Sequence, residues 1–589
     1  MTNSKTTIQL TTRTFILMVL FGYLFLADIG FCQWSNDPSE NNVLAWGLYV
    51  PVIISDMQNG VIVAGQTHWA YAVIYAQRMS VDGRRLWPGY SGVKITDSPY
   101  WQGILEYDKE FGMSDGAGGC YIAYHIRRLA GYTSGPDPSE YYDIGLYVQR
   151  LDPYGNRLFG PNGLALMPDE KDSTGYIQRM QYWCADGYGG VYAIFERAAY
   201  ELEPERDGVY LARISGSGEI LWGPKPMSRH YAEYIPYLDS DLNLNLYYYP
   251  GETSSKIPDK FIKINPETGE IISEKEIEIG VGEYGFCGIN DYCTSDNYSA
   301  IFAFNDFHGD TLRIQKIDEN GNNLWGDEPV IIDHGNGLYL SFGVESDQRG
   351  GAYILYLIPI YNVPHSCDSV YLAHFDQQGR RLWDRSFYSP YGAPSRDNER
   401  ISVGSDGSLF VLTEHMKYLT RLSFEGEILW RTMVTSRDTI IYSSSYSGLI
   451  ADSLGGCIVV WHEIGADFVG FMAQRVDQNG NLGGPTSLWS YSSQSSSNNN
   501  EITSVYPNPF NDAVSIRFSI QQSQKATLKV FNIIGKEVVT LKAGNITGGD
   551  HVINWQGTDG NGQVLASGVY LLVFQTGSTR VSQKLLIIR

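Results

Sequence analysis

The chain runs to 589 residues, more than one hydrophobic core ordinarily holds, and 43% apolar against 18% charged residues is the balance of a chain that folds. Its formal net charge of −22 argues against a nucleic-acid partner, whose binding needs a clustered basic face. The 42 Tyr, 13 Trp and 63 Gly point to strands and turns rather than helices.

At the N-terminus, Lys5 and Arg13 precede the apolar run FILMVLFGYLFLA (15–27), and Gly30 and Cys32 follow it. This is the pattern of a secretory signal peptide over residues 1–32, cleaved before Gln33. The run is short for a membrane span, and no later segment is long and apolar enough to cross a membrane. Cys32 could instead carry a lipid, although Phe31 is bulky where a lipid-attachment motif takes a small residue. Six cysteines remain after cleavage, without metal-ligand spacing, and Cys120 and Cys457 each follow Gly-Gly at the start of an apolar strand, as packed thiols do.

Two phrases alternate from there to about residue 491. The first is a basic residue, an apolar residue, a short turn, Gly, three residues and an aromatic, as in QRMSVDGRRLW (77–87). Its Gly falls at 83, 155, 218, 269, 321, 379, 426 and 480, with Trp87, Phe159, Trp222, Trp325, Trp383 and Trp430 four residues on; the other two copies have Ser273 and Gly484 there. The second phrase is Ser-Asp or Ala-Asp, a Gly-rich turn and an apolar run, as in SDGAGGCYIAY (114–124), with Asp56, Asp115, Asp186, Asp241, Asp296, Asp347, Asp406 and Asp452. Each pair of phrases predicts four antiparallel strands joined by tight hairpin turns. Eight such units predict an eight-bladed β-propeller over residues 33–491. The last unit lacks its Trp, and QWSNDPSENNVLAW after the leader reads as a fourth strand like LWGDEPVIID (324–333). The N-terminus is therefore expected to supply the outer strand of the last blade and remove its open edge. The recurring basic residue (Arg78, Arg150, Arg213, Lys263, Lys316, His374, Arg421, Arg475) is expected to pair with the recurring Asp, and the Trp series to pack between blades.

Function is expected where the repeats differ, at the end opposite the tight turns. Variable connections such as HIRRLAGYTSGPDPSEYYD (125–143) and ERAAYELEPERD (196–207) mix Tyr, acids, Arg and His, which suits sugar binding by stacking and hydrogen bonding. The candidate ligand-binding residues are His125, Glu196, Asp306, His308, Glu414, His415, His462 and Glu463. His125 and His462 fall at equivalent positions, six residues after the second Gly, with His68 near the same level. No metal-binding, nucleophile-elbow or phosphate-loop motif appears, so nothing calls for a cofactor or a catalytic residue.

The Ser/Asn-rich SSQSSSNNNE marks a linker over 492–502, and short alternating strands over 503–589 predict an Ig-like sandwich. YPNPFN (506–511), VFNIIGKEV (530–538), GTDGNGQVLASGVYLLVF (557–574) and the ending SQKLLIIR resemble the type IX (Por) secretion C-terminal sorting domain, type A. They also resemble the Ig-like domain of flagellar hook-capping proteins. The resemblance implies export across the inner membrane, recognition by an outer-membrane secretion machine, and a secreted or cell-surface location. The Gly-x-x-x-Trp spacing is similar to the tryptophan-docking repeat of quinoprotein propellers, whose Asp-to-Gly gap is longer, and it carries over no active site. The reading is an exported binding protein for a polysaccharide or an envelope protein; the alternative is a secreted polysaccharide hydrolase or lyase on the same scaffold.

Overall fold

The computed structural model describes residues 34–587, except 41, 68–71, 105–110, 133–139, 168–175, 200–206, 229–231, 250–258, 278–288, 296–297, 306–310, 335–339, 358–368, 389–399, 414–416, 437–446, 465–468, 484–500, 507–513, 521, 533–535, 561, 567 and 578–579. Strands and turns, and no helix, occur among the described residues. The chain divides into two compact units, one over Trp34–Gly484 and one containing Pro485–Arg589.

In the first unit the chain forms successive antiparallel meanders. One joins Tyr49–Ser55, Val61–Gln66, Ile74–Met79 and Val93–Lys94 in that spatial order. Four others join Glu233–Leu238 through Ile271–Glu276, Ile289–Ser295 through Val330–His334, Leu340–Ser346 through Arg381–Tyr388, and Arg400–Val403 through Ile428–Met433. The last contains Ser447–Ala451, Cys457–Ile464 and Val469–Val476, and its outer strand is Asn42–Trp46, paired antiparallel with Val469–Val476. The N-terminal segment thus completes the C-terminal sheet, as the sequence led us to expect.

Between the first and the third meander the pattern is broken. Cys120–Tyr132 and Glu140–Leu151 form a hairpin of 13- and 12-residue strands. Tyr176–Ala185 adds to it in parallel, through Tyr176 opposite Asp143 and Ile177 opposite Ile144. Two meanders thereby fuse into a single nine-stranded sheet.

The repeated residues hold this unit together. At Asp56, Asp115, Asp186, Asp347 and Asp452 one carboxylate oxygen accepts two backbone N–H groups; Asp56 accepts those of Gln58 and Gly60, both at 2.7 Å, and Asp406 accepts that of Ser408 at 3.0 Å. The other oxygen takes the cation of the third strand. The pairs are Arg78–Asp56 at 2.9 Å, Arg150–Asp115 at 3.0 Å, Arg213–Asp186 at 2.9 Å, Arg421–Asp406 at 2.7 Å and Arg475–Asp452 at 2.8 Å. His374 replaces arginine opposite Asp347 at 3.1 Å. Asp296 lies outside the described residues, and Lys316 donates to the Gly350 carbonyl at 2.8 Å. The second Gly of the turn must be Gly, because a Cβ at Gly351 would collide with the Phe375 carbonyl and the Asp347 carboxylate. One unit corrects the expected Asp. Lys263 pairs with Asp239, not Asp241, at 2.9 Å, since Asp239 is the residue that accepts the Asp241 and Asn243 N–H groups.

Sheet follows sheet through the aromatic of each fourth strand. Trp87 sits over Gly155, Phe159 over Gly218, Trp222 over Gly269, Trp325 over Gly379, Trp383 over Gly426 and Trp430 over Gly480. Each Trp also donates its indole N–H to a carbonyl of that next turn, as Trp87 does to Pro153 at 3.0 Å. Where Ser273 replaces the aromatic, Phe261 of the third strand fills the space over Gly321. The series then returns to its start. Trp34 covers Gly83 and donates to the Val81 carbonyl at 2.7 Å, occupying the position left open by Gly484.

In the second unit, Glu501–Tyr506, Val514–Ile520 and Gly549–Trp555 form one sheet, and Gln524–Asn532, Glu537–Ile546, Gly568–Thr576 and Arg580–Ile587 form another. Alternate residues of both, among them Ile516, Phe518, Leu528, Val530, Phe574 and Leu585, share one buried core. The Asp559-x-x-Gly562 turn closes as a hairpin, with Gly562 at φ +79° and its N–H on the Asp559 carbonyl at 3.0 Å.

Candidate ligand-binding face

The tight turns take up one end of every meander, so the variable connections lie at the other. The structure extends the strands further into these connections than the sequence suggested. His125 and His462 lie within strands, not loops, and both are buried. Their equivalence is geometric as well as positional. His125 Nε2 lies 2.7 Å from the Gln178 carbonyl of the following meander, and His462 Nε2 lies 3.0 Å from the Leu48 carbonyl at the start of the first. Each imidazole therefore links one meander to the next. Among the described residues no three His, Cys, Asp or Glu side chains stand close enough to hold a metal ion.

Of the other candidates, Glu196 is half-buried and pairs with Arg179 at 3.2 Å, and Glu463 is buried beside His462 in sequence. Asp306, His308, Glu414 and His415, together with His68, lie outside the described residues. Arg197 pairs with Asp207 at 3.3 Å and lies over the Tyr176 ring. Arg128 lies over Tyr100, 4.9 Å from the ring centroid, and donates to the Tyr147 hydroxyl at 3.2 Å. These residues gather on the fused sheet.

Burial pushes the His125 imidazole down to about 4 and lowers that of His462. The unfolded chain takes up protons near pH 6.5, whereas the folded one resists until lower pH, so stability falls as pH drops through that window. We expect chemical denaturation of the first unit to require about 2 kcal/mol less at pH 5 than at pH 7 on account of His125. Replacement of His125 by Asn should flatten that part of the slope; an unchanged slope would assign it to other groups.

Sequence reasoning missed a pair of carboxyls. Glu345 on Leu340–Ser346 and Asp291 on Ile289–Ser295 belong to first strands of successive meanders, and Asp291 Oδ2 accepts the Val344 N–H at 2.9 Å. Glu345 is exposed to solvent; the protein around it, together with the Asp291 charge, shifts its carboxyl above the usual carboxylate range. The neighbouring Cys293 is a free thiol pushed well above the usual range, mainly by burial, and is unsuited to act as a nucleophile.

Residues 504–588 match the family model of the secretion system C-terminal sorting domain. The C-terminal unit is a sorting domain. It marks the chain as a protein secreted by the type IX route to the cell surface or the extracellular space, and it implies contact with that secretion machinery. No curated protein matches the chain. Among solved structures, the chain is similar to PorZ, described as an essential bacterial surface component of the type-IX secretion system of Porphyromonas gingivalis. Identity is 10%, covering 90% of this chain and 79% of that one, with a TM-score of 0.27. It is also similar to a puromycin-hydrolyzing peptidase of Mycobacterium tuberculosis, at 13% identity over 83% of this chain and 61% of that one, with a TM-score of 0.34. A third similar structure is a protein of unknown function from Bacteroides caccae, at 13% identity over 44% of this chain and 79% of that one, with a TM-score of 0.22.

Proposed function

We propose that residues 34–484 form an eight-bladed β-propeller, that the sorting domain is an Ig-like sandwich, and that the secreted protein is a binding protein for polysaccharide or for another envelope protein. The observation that carries this reading is a division of labour. The repeated Asp, cation, Gly and aromatic residues are used in holding the meanders together. The opposite end departs from the repeat, above all at the long hairpin arm of the fused sheet, and its described residues combine Arg, Tyr and Glu. Contacts running from each meander to the next, and from Trp34 back to Gly83, support the closed ring. The signal peptide over residues 1–32 belongs to the same reading, since the type IX route begins with export across the inner membrane.

The Glu345–Asp291 pair favours a second reading, a polysaccharide hydrolase in which Glu345 donates the proton to the leaving group. One experiment addresses both. The full chain from Gln33 is screened against immobilised polysaccharides, and any that bind are assayed for released reducing ends. Binding without release is the expected result. Release that Glu345→Gln abolishes would transfer the assignment to the hydrolase, and absence of any polysaccharide binding would leave only a protein ligand.

A further inference from the structure

We propose that a groove between the outer segments of the first meander and the hairpin arm that follows it binds a neutral oligosaccharide. The groove lies at the tight-turn end, away from the variable connections, so it is a site additional to the binding face described above. It arises where the fourth strand gives way. Elsewhere the fourth strands Ile220–Ser228, Ile271–Glu276, Arg381–Tyr388 and Ile428–Met433 run for six to nine residues. In the first meander only Val93–Lys94 is left, and beside the hairpin arm only Leu164–Ala165. The chain detours before each of these short strands, and a buried glutamine of the third strand supports the detour. Gln77 donates to the Trp87 and Gly89 carbonyls at 3.1 and 3.0 Å, and Gln149 donates to the Gly160 carbonyl at 2.8 Å. Between the two detours opens a cavity of about 600 Å³, a size common among small-ligand sites.

The lining supplies what a sugar requires. Pro88 and Pro161 give it apolar walls, and Lys94, Asn156 and Arg157 give it polar groups. Arg157 donates to the Asp97 carboxylate at 2.8 Å and to the Pro161 carbonyl at 3.0 Å, which fixes both side chains at the edge of the groove. Lys94 Nζ stands 3.8 Å from the other oxygen of Asp97. A single hydroxyl beside that pair can accept from the amine and donate to the carboxylate, as no carboxylate or phosphate ligand can. The Arg157 hydrogen bond holds the Asp97 carboxyl below its usual range, so an anion approaching Lys94 at neutral pH meets a fixed negative charge. Two rings flank the groove. Tyr90, on the first detour, is 70% exposed, and Tyr154, in the turn just before the lining residue Gly155, is 80% exposed. Arg85 lies 4.8 Å from the centroid of the Tyr90 ring and steadies it. Flat, half-wetted rings of this kind suit the C–H face of a pyranose, while the donor and acceptor between them suit its hydroxyls.

The test is calorimetric titration of the full chain from Gln33 with neutral hexasaccharides of glucose, mannose and xylose, and with hexagalacturonate. At least one neutral hexasaccharide should bind, and more tightly than hexagalacturonate. Lys94→Met keeps the stem but loses the amine, and should weaken binding about three- to tenfold, the effect of one hydrogen bond. Tyr90→Leu combined with Tyr154→Leu should weaken it by about tenfold or more. Asn156→Trp fills the groove and should abolish binding, whereas Tyr298→Leu, at an exposed tyrosine of a distant meander, should leave it unchanged. Thermal midpoints report whether each variant is folded. Preference for hexagalacturonate, lost in Lys94→Met, would assign the groove to an anion and overturn the inference. Neutral-sugar binding that survives Asn156→Trp and the paired tyrosine variant would also overturn it, and would leave the polysaccharide reading of the variable end intact. Absence of binding to all three neutral hexasaccharides would overturn the inference alone if immobilised polysaccharides still bind, and the polysaccharide reading with it if they do not.

Discussion

Trp34→Ala is expected to destabilise the first unit by about 3–5 kcal/mol, the range for truncating a buried large aromatic. The residue stands at the N-terminal end of the first unit, where a domain's end usually frays. Here the indole is only 6% exposed, lies over Gly83 and donates to Val81 at 2.7 Å. Ser35, next to it, accepts the Gln474 side-chain amide at 2.6 Å, which joins residues 439 positions apart. Loss of the indole therefore leaves a cavity and also frees the strand Asn42–Trp46 that completes the last sheet. Two readouts separate these effects. Denaturant unfolding of the first unit gives the energy, and amide exchange of residues 42–46 and 469–476 gives the location. Trp325→Ala removes an equivalent indole, which lies over Gly379 and donates to the Gln377 carbonyl at 2.9 Å, from the middle of the series, so its energetic cost should be similar, but residues 42–46 should keep their protection. A cost under about 1 kcal/mol for Trp34→Ala would mean that the N-terminal segment is dispensable to the first unit.

Much of this architecture is legible in the sequence because the same local chemistry recurs. A Gly at positive φ and, in six of the eight copies, an aromatic four residues later specify a turn and its cover, and the eight copies mark the units. Even the pairing of the N-terminal strand with the last meander could be read, since QWSNDP carries Trp34 in the phrase missing after Gly480. Legibility failed where identity and role came apart. In DSDLN two aspartates compete for one role, and Asn243 takes the place of Gly, so the capping residue is Asp239 by two positions. Phe261 replaces a missing tryptophan from a different strand, which no linear spacing records. His125 and His462 have the polarity of loop residues, but the strands run on beneath them and each finds a carbonyl of the following meander. Asp291 and Glu345 are 54 residues apart and become neighbours only because first strands of successive meanders lie side by side. The parallel pairing that fuses two meanders depends on a register that hydrophobic alternation does not encode.

Asp452→Ala should be among the most damaging single changes in the first unit, and the comparison with Asp406→Ala explains why. Both aspartates close a turn and pair with an arginine of the third strand, at 2.8 Å to Arg475 and 2.7 Å to Arg421. Similar distances conceal different surroundings. The Asp452 and Arg475 side chains are 0% and 3% exposed, whereas the Asp406 side chain is 56% exposed. Loss of Asp452 leaves an arginine buried without its counter-ion, together with the Leu454 and Gly456 N–H groups that its other oxygen accepts at 2.9 Å. Breaking a buried pair from one side in this way costs about 3–5 kcal/mol. Asp406 is reached by water, which can replace much of what it supplies to Arg421, so its removal should cost about 1 kcal/mol. Asp452→Asn keeps an acceptor for the turn but sets an amide against the guanidinium, and should fall between the two. Replacing Asp452 and Arg475 together by apolar residues should recover much of the single-variant loss, because the penalty lies in the stranded charge more than in the absent attraction. Unfolding free energies of the four variants provide the check. Equal losses at positions 452 and 406 would show that turn closure, and not the buried charge, is what the repeated aspartate contributes.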